Sequence, residues 1–195
     1  MKETILISCV IIVIYIFIFL NKKNHVFIES NTGTKFMVYD DNLKKDKANL
    51  LSTIVKNMCT LKNYLVKNID TDECKEYKSY IQQLDRNFSE DRTIIYETDP
   101  ISDLTSYSVN KGEELSVCLK SKTTGQLHDI NLLMYVVIHE MAHFACPKIG
   151  HGLLFMIIFK KFIEIAIKIN IYSYNDYSNK PIEYCGLIVS SSVTN

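Results

Sequence analysis

Apolar residues recur at intervals of three and four between positions 43 and 68, and this spacing predicts an amphipathic helix. The repeating positions are Leu50, Leu51, Ile54, Val55, Met58, Leu61 and Leu65. A shorter repeat over Cys74, Tyr77, Ile81 and Leu84 predicts a second helix. The opposite face of the first helix is rich in lysine, which a solvated surface explains most simply.

Alternating apolar and polar residues predict three short strands, at Lys35 to Asp40, Arg92 to Glu97 and Glu114 to Lys120. A third, strongly apolar helix should follow and end near residue 145, with Asp129 or Asn131 as its N-cap. A fourth helix is predicted from Leu153 to Ile169, where interspersed charges favour a packed domain helix over a membrane span. This order predicts an α+β domain, in which a small mixed sheet packs on the third helix.

The segment from Thr4 to Leu20 carries no charge and consists mainly of Ile, Val, Leu and Phe. Its length is near the lower limit for a helix that crosses a bilayer. Residues 19–22 lack the small side chains of a signal-peptide cleavage site. The sequence therefore predicts a tail at 1–3, an uncleaved transmembrane helix at 4–20, a linker at 21–34 and a domain at 35–195. A buried core helix is the alternative for the first apolar segment.

Charges around this segment favour a cytoplasmic domain, because Lys22, Lys23 and Lys35 follow it and only Lys2 and the terminal amine precede it. One of the six cysteines, Cys9, lies in the predicted span, and the rest lack the spacing of a disulfide framework. Free thiols suit a reducing compartment. The sequence thus predicts a single-pass membrane protein, with the lipid bilayer as a partner.

The 195 residues, less the predicted anchor, suffice for one domain with its own core. Lys and Arg together number 22, as do Asp and Glu, so no overall field attracts nucleic acid. A nucleic-acid partner is therefore not expected. The sequence leaves the oligomeric state open.

Residues 139–143 read His-Glu-Met-Ala-His, an HExxH pattern inside the third predicted helix. Residues four apart lie on one face of a helix, so the imidazoles of His139 and His143 can converge on one zinc ion. Glu140 can then act as general base toward a water that zinc activates. Two histidines and a glutamate in an apolar helix need partners, because burial of unpaired ionisable groups is costly. The pattern predicts a zinc hydrolase site.

Catalytic zinc usually takes three protein ligands and keeps one position open, so a third ligand is needed. His151 stands between two glycines after a stretch that should end the helix, and it is the favoured candidate. Glu164 is the alternative, at a spacing compatible with zinc sites that use glutamate. The HExxHxxGxxH spacing is not met, because Cys146 and Ile149 occupy the required glycine and histidine positions.

Several further residues have candidate roles. Ser116 to Lys120 could be an edge strand that pairs with an extended peptide, or a plain core strand. One of four tyrosines could stabilise an oxyanion, and the sequence does not choose among Tyr172, Tyr174, Tyr177 and Tyr184. Cys146 and Cys185 could be thiolate ligands of a structural site, but no CxxC spacing supports this.

The HEMAH run at 139–143, a short turn and the GHGLLF run at 150–155 resemble the compact zincins of the SprT-like and WLM groups. They resemble in particular the form that such metallopeptidases take in large DNA viruses. Residues 179–187 also resemble a terminal motif of the viral sequences, which extends the resemblance over roughly 90 to 190. The resemblance implies His139, His143 and His151 as ligands and Glu140 as base. It implies no substrate.

These observations predict a membrane-anchored, zinc-dependent metallopeptidase that hydrolyses peptide bonds, placed in a host or virion membrane if the protein is viral. A protein or peptide is the expected substrate. The alternative is a non-catalytic, membrane-anchored scaffold or assembly protein whose zinc site holds the fold together. The presence of Glu140 favours catalysis, because a structural site has no need of a base.

Overall fold

The computed structural model of the protein describes residues 24–191. Its helices are α1 (Lys44–Lys67), α2 (Lys78–Asn87), α3 (Ile130–Ala145) and α4 (Leu153–Lys168). The strands are β1 (His25–Glu29), β2 (Lys35–Tyr39), β3 (Ile94–Glu97), β4 (Tyr107–Val109), β5 (Glu114–Val117), β6 (Ile182–Tyr184) and β7 (Leu187–Val189). A single 3₁₀ turn, Lys75–Tyr77, precedes α2. The predicted α+β class is confirmed.

Five strands form one mixed sheet, and the remaining two form a separate hairpin. The order in the larger sheet is β1-β2-β3-β5-β4. Strands β2, β3 and β5 run parallel, whereas β1 and β4 are antiparallel to their neighbours at the two edges. Because β5 lies between β3 and β4, the edge strand next to the helix with the HExxH pattern is β4. Of the two interpretations of Ser116 to Lys120, the structure supports the plain core strand over the edge strand, because both sides of β5 are paired.

The core lies between the sheet and the four helices. Helix α1 buries the apolar stripe that its sequence predicted, and its members Leu51, Ile54, Met58, Leu61 and Leu65 are fully buried. Helix α3 packs against α1, α2 and α4 and is buried along most of its length. Its first turn is capped by Asp129, whose carboxylate accepts the backbone N–H of Asn131. The motif helix thus lies at the centre of the domain, packed against three other helices.

A buried ion-pair network joins α1 to the sheet. The Lys47 side chain is fully buried, and its Nζ lies 2.8 Å from Glu97 and 2.9 Å from Asp41. Lys120 Nζ lies 3.0 Å from the same Asp41 oxygen. Burial raises the pKa of Glu97, although the hydrogen bonds from Lys47 and from the backbone of Tyr39 oppose this rise. Each buried charge in the network has a partner of opposite sign, as burial requires.

The β6–β7 hairpin is linked by a disulfide to the residue that follows β5. Its turn residues Cys185 and Gly186 have positive φ, and a disulfide joins Cys185 to Cys118 across 67 residues. The backbone N–H of Cys185 also donates to His128 Nε2. The expectation of free thiols is therefore wrong for this pair, and Cys59, Cys74 and Cys146 are free. Sequence spacing missed the pair because distant segments of the fold bring the two sulfurs together.

The predicted transmembrane helix is not supported. Within residues 24–191, none of the helices has the length and apolar character needed to cross a membrane. Helices α3 and α4 have 16 residues each, which span about 24 Å against a hydrocarbon core of about 30 Å. The prediction of a fold with an N-terminal transmembrane helix is therefore wrong, as is the prediction of a single-pass membrane protein. What the structure shows is a mixed α+β fold. The segment from Thr4 to Leu20 itself lies outside the described residues.

Four strands were not predicted. Residues 25–29 fall in the expected linker at 21–34, yet they form β1 and pair along their whole length with β2. Strands β4, β6 and β7 have three residues each. Three residues are too few to show an alternation of apolar and polar positions. Strands of this length are stabilised by pairing with distant segments, which the sequence does not reveal.

Candidate metal centre and cleft

Three histidines converge at one point on the surface of α3. The Nε2 atoms of His139 and His143 lie 3.2 Å apart, and that of His151 lies 2.9 Å from the first and 3.0 Å from the second. His139 and His143 are partly buried, and His151 is exposed. The structure therefore brings together the three histidines that the sequence analysis selected.

Local structure explains how His151 reaches the pair on α3. Helix α3 ends at Ala145, and the following turn reverses the chain at Gly150, whose φ is +83°. Gly152 is the N-cap of α4. The left-handed backbone at Gly150 is one that side chains with a Cβ rarely adopt. The turn thus carries His151 back over the exposed face of α3.

An aromatic side chain on α4 supports all three imidazoles. The ring of Phe155 stacks on His143, with ring centroids 4.3 Å apart, and meets His139 and His151 edge-on at 4.8 and 4.9 Å. Phe159 adds a second edge-on contact to His139 at 5.2 Å. These contacts restrict the imidazole orientations, because each ring has an apolar neighbour of fixed position.

The environment of the triad keeps its buried members neutral. Burial, together with the nearby His143 and His151, lowers the pKa of His139 to about 3. Burial, together with His151 and Lys111, lowers the pKa of His143 to about 4. Neutral imidazole is the form that binds a metal ion, so both rings are ready to act as donors at pH 7.

The donor set fits a zinc ion. Zinc binds histidine nitrogen at roughly 2.0 to 2.1 Å in tetrahedral geometry, which separates two ligand nitrogens by about 3.3 Å. The three Nε2 separations of 2.9 to 3.2 Å are close to this value. Three facing nitrogens also cannot all hydrogen-bond one another, because neutral imidazole has a single N–H. The triad could therefore hold a metal ion.

Glu140 is buried beside the triad, with 6% of its surface exposed. Burial raises the pKa of its carboxyl to about 7, against the opposing effect of a hydrogen bond from Ser108. Ser108 belongs to β4, so the edge strand contacts the glutamate of the motif directly. A carboxylate in this position can exchange protons with a group held at the triad.

The triad and Glu140 line a cleft of about 780 Å³ between α3, α4, the edge strand β4 and the hairpin strand β7. Residues 105–108 and 187–191 both line this cleft. Each of these two strands pairs with only one neighbour among the strands at residues 24–191. Two strand edges thus flank the site with backbone groups that no other strand pairs.

Tyr184 is the one tyrosine of the four candidates that lines the cleft. Its hydroxyl hydrogen-bonds the Ser106 hydroxyl, and its ring packs on His128 with centroids 4.9 Å apart. Burial raises its pKa well above the usual value for tyrosine, and the nearby charge of Glu140 adds to this. Tyr172 and Tyr177 pack instead in a cluster around Tyr135. Tyr174 does not line the cleft.

Two other candidates lie away from the triad. Glu164 is on α4 with its side chain 46% exposed, and it faces Lys161 at 3.8 Å. The thiol of Cys146 is buried and free, and Cys185 is in the disulfide. The alternatives of a glutamate ligand and of a thiolate site therefore find no geometric support.

Sequence reasoning did not identify Ser106, Ser108, His128 or Lys111. Ser106 and Ser108 are spaced by two, which places both side chains on one side of an extended chain. That spacing is the only signal in the sequence, and it is common in loops. Lys111 Nζ donates to the carbonyls of Cys146 and Pro147 at the end of α3, a contact between segments 35 residues apart.

The fold of this chain is similar to that of a solved structure, and the likeness is one of fold alone. Its structure is similar to the crystal structure of Wss1 from Saccharomyces cerevisiae, with a TM-score of 0.50 and 20% sequence identity. The match covers 68% of this chain and 87% of that one. The resemblance to the WLM group that the motif indicated is confirmed at the level of the fold.

The chain belongs to the same family as the uncharacterized protein R325 of Acanthamoeba polyphaga mimivirus. The two are 39% identical over 191 residues, which cover 96% of this chain and 95% of that protein. Shorter matches link it to the uncharacterized proteins 136R of Invertebrate iridescent virus 6 and 042R of Invertebrate iridescent virus 3, 35% identical over 69 residues and 34% over 89. These cover 34% and 45% of this chain, and 38% and 53% of those proteins. No protein-family model matches the chain.

Proposed function

We propose that the protein is a zinc-dependent peptidase that hydrolyses peptide bonds. The observation that carries this proposal is the convergence of three histidine Nε2 atoms beside a buried glutamate, on the floor of a cleft flanked by strand edges. The similarity of the fold to that of Wss1 supports it.

His139, His143 and His151 would hold the zinc ion through their Nε2 atoms. When bound, zinc supplies Lewis acidity, which polarises a carbonyl and lowers the pKa of water to about 7. Phe155 and Phe159 keep the three rings in place and exclude solvent from one side of the site.

Glu140 would transfer the proton. Its carboxylate, oriented by the Ser108 hydroxyl, accepts a proton from the attacking water and delivers it to the departing amine nitrogen. Tyr184 and Ser106 also line the cleft, and because their hydroxyls hydrogen-bond each other, one of the two O–H groups is left to donate to a substrate carbonyl.

A protein or peptide in extended form is the substrate that fits the cleft. Strand β4 has one unpaired edge, and an extended chain can pair with such an edge through backbone hydrogen bonds. Because Ser108 on β4 contacts Glu140, a chain paired with β4 would pass close to the catalytic carboxylate. Strand β4 would thus have the peptide-pairing role that was one of the two interpretations of Ser116 to Lys120.

A non-catalytic scaffold with a structural zinc site is the competing function. A structural zinc usually has four protein ligands. The metal-ligand cluster found among residues 24–191 has three. A structural site also gives no reason to bury Glu140 beside the ligands. Both observations favour catalysis.

The test combines zinc analysis with one substitution in the full chain. The wild-type chain should bind about one zinc and cleave an unfolded protein such as reduced, alkylated casein. Glu140→Gln should keep zinc and fold but lose about 10² to 10⁴ of the hydrolysis rate. Glu164→Gln is the matched control and should keep both. Hydrolysis by Glu140→Gln at the wild-type rate would contradict the proposed role of Glu140. Absence of zinc from the folded wild-type chain would contradict the proposed peptidase function.

A further inference from the structure

The cleft contains an unusual share of the exposed apolar surface of the domain. Twelve large apolar side chains are exposed among residues 24–191, and four of them line this one cleft. They are Ile149 at 95% exposure, Ile188 at 64%, Leu187 at 61% and Met156 at 39%. They come from three separate segments, namely the α3–α4 turn, α4 and β7. A concentration of this kind marks a binding surface rather than scattered surface residues.

The inner wall continues this apolar surface. Behind His139, the cleft is lined by Tyr135, Val136, Phe155 and Phe159. Charged side chains in the lining are limited to Lys111, Lys148 and the buried Glu140. Lys111 is engaged with the carbonyls at the end of α3. An occupant of the cleft therefore meets apolar groups and positive charge, with no exposed carboxylate.

The strand edges decide what kind of apolar molecule fits. Strands β4 and β7 both line the cleft, and each pairs with only one neighbour among the strands at residues 24–191. Such edges pair with another backbone, whereas a lipid chain offers no hydrogen-bonding groups to them. An extended peptide directs alternate side chains to the same side. A peptide paired at the edge would thus place every second side chain against the apolar wall.

We propose that the cleft selects extended polypeptide segments with a large apolar side chain next to the scissile bond, and disfavours lysine or arginine at that position. The proposal rests on the proposed peptidase function and names its substrate class. Segments of this kind are buried in folded proteins, so the preferred substrates are unfolded or partly unfolded chains.

Binding to the zinc-loaded, full-length Glu140→Gln chain tests the preference without hydrolysis. The probes are fluorescein-labelled ten-residue peptides of Gly, Ser and Thr that differ only at a central Leu, Phe, Ser or Lys. Fluorescence anisotropy should show the Leu and Phe peptides bound about tenfold or more tighter than the Ser peptide, because burial of one large apolar side chain contributes that much. The Lys peptide should bind no better than the Ser peptide.

Matched substitutions test whether the apolar side chains of this cleft bind the peptide. Ile188→Ser, made in the Glu140→Gln background, should weaken binding of the Leu peptide about fivefold. Ile94→Ser is the control, because Ile94 is also an isoleucine in a strand, is 59% exposed and does not line the cleft. Leu187→Ser provides a second cleft variant should Ile188→Ser unfold, and thermal melting establishes which variants are folded.

The outcomes separate this proposal from the peptidase function. Hydrolysis by the wild-type chain with equal binding of the Leu and Ser peptides overturns the apolar preference alone. Preferential binding of the Leu peptide by a wild-type chain that hydrolyses nothing overturns the peptidase function and leaves the binding surface supported. An equal loss in Ile94→Ser and Ile188→Ser overturns the assignment to this cleft.

Discussion

The Nε2 atoms of His139 and His151 lie 2.9 Å apart, although the two residues are twelve positions apart and belong to different segments. The turn between α3 and α4 creates this contact, and the Phe155 ring holds both imidazoles from α4. His151 is therefore the third donor that the geometry offers. Glu164 points to Lys161 instead.

The first prediction concerns the third ligand. His151→Ala should lower zinc affinity more than about 100-fold, because two histidines on one helical turn cannot complete the site. Competition with a colorimetric zinc chelator measures the affinity. Glu164→Gln, the control, should bind zinc as the wild type does. The reverse pattern would show that glutamate is the ligand.

The disulfide between Cys118 and Cys185 should stabilise the domain. It joins the C-terminal hairpin to the end of β5 across 67 residues, so its loss frees a long loop in the unfolded chain. Cys118→Ser should lower the free energy of unfolding by about 2 to 4 kcal/mol, measured by urea denaturation without reductant.

Cys59→Ser is the control for this substitution, because Cys59 is a free thiol on α1 outside the hairpin. It should change the urea midpoint little. Identical urea midpoints for the wild type and Cys118→Ser would contradict a stabilising crosslink. So would a midpoint for Cys59→Ser that is lowered as much as that of Cys118→Ser.

The buried network at Lys47 predicts a pH dependence of stability. Burial alone would raise the pKa of Asp41, but hydrogen bonds from Lys47, Lys120 and the Leu43 backbone outweigh it and hold the pKa below 3.8. Asp41→Asn should therefore cost about 2 kcal/mol at pH 7. A depressed carboxyl pKa contributes stability above the unfolded value, and this is lost as the pH falls through the folded one. The difference between wild type and variant should shrink below about pH 4.

Asp40→Asn is the matched control for this prediction. Asp40 pairs with Lys44 at 2.6 Å on the surface, with both side chains over 40% exposed. Its removal should cost less than about 1 kcal/mol, because solvent screens exposed pairs. Urea denaturation at pH 7, 5 and 3.5 compares the two. A pH-independent cost for Asp41→Asn would indicate that its charge contributes nothing.

Gly112 should tolerate no side chain. Its φ is +117°, and a Cβ at this position would lie 2.6 Å from the carbonyl oxygen of Asn87. Gly112→Ala should cost at least about 3 kcal/mol, from backbone strain and from displacement of the C-terminal end of α2. Gly33 also has a positive φ, of +87°, but a Cβ there would have no atom within 4 Å. Gly33→Ala should therefore cost only about 1 kcal/mol. Equal melting temperatures for the two variants would show that the contact is relieved cheaply.

Much of the helical framework was predictable from sequence, because helical periodicity is a local property. The predicted stripe on α1 is the buried stripe, and Asp129, one of the two predicted N-cap candidates, caps α3. His139 and His143 could be paired for the same reason, since residues four apart on a helix always share a face. The motif helix and its two histidines therefore needed no tertiary information.

Contacts between distant segments were not predictable. Strand β4 became the edge of the sheet only because β5 inserted between it and β3, and three residues carry no sequence signal for such an arrangement. Ser108, Tyr184 and the partner of Cys118 likewise lie far in sequence from the groups they contact.

The sequence by itself determined the helix that carries HExxH, the shortlist of His151 and Glu164 for a third donor, and the presence of one α+β domain. Only the tertiary structure decided that His151 joins the other two imidazoles, that β4 flanks the site, and that the hairpin encloses an apolar cleft. The physical reason is the distance along the sequence between the residues that interact. Helical periodicity follows from hydrogen bonds four residues apart, whereas the cleft arises where chain segments far apart in sequence pack together in the fold.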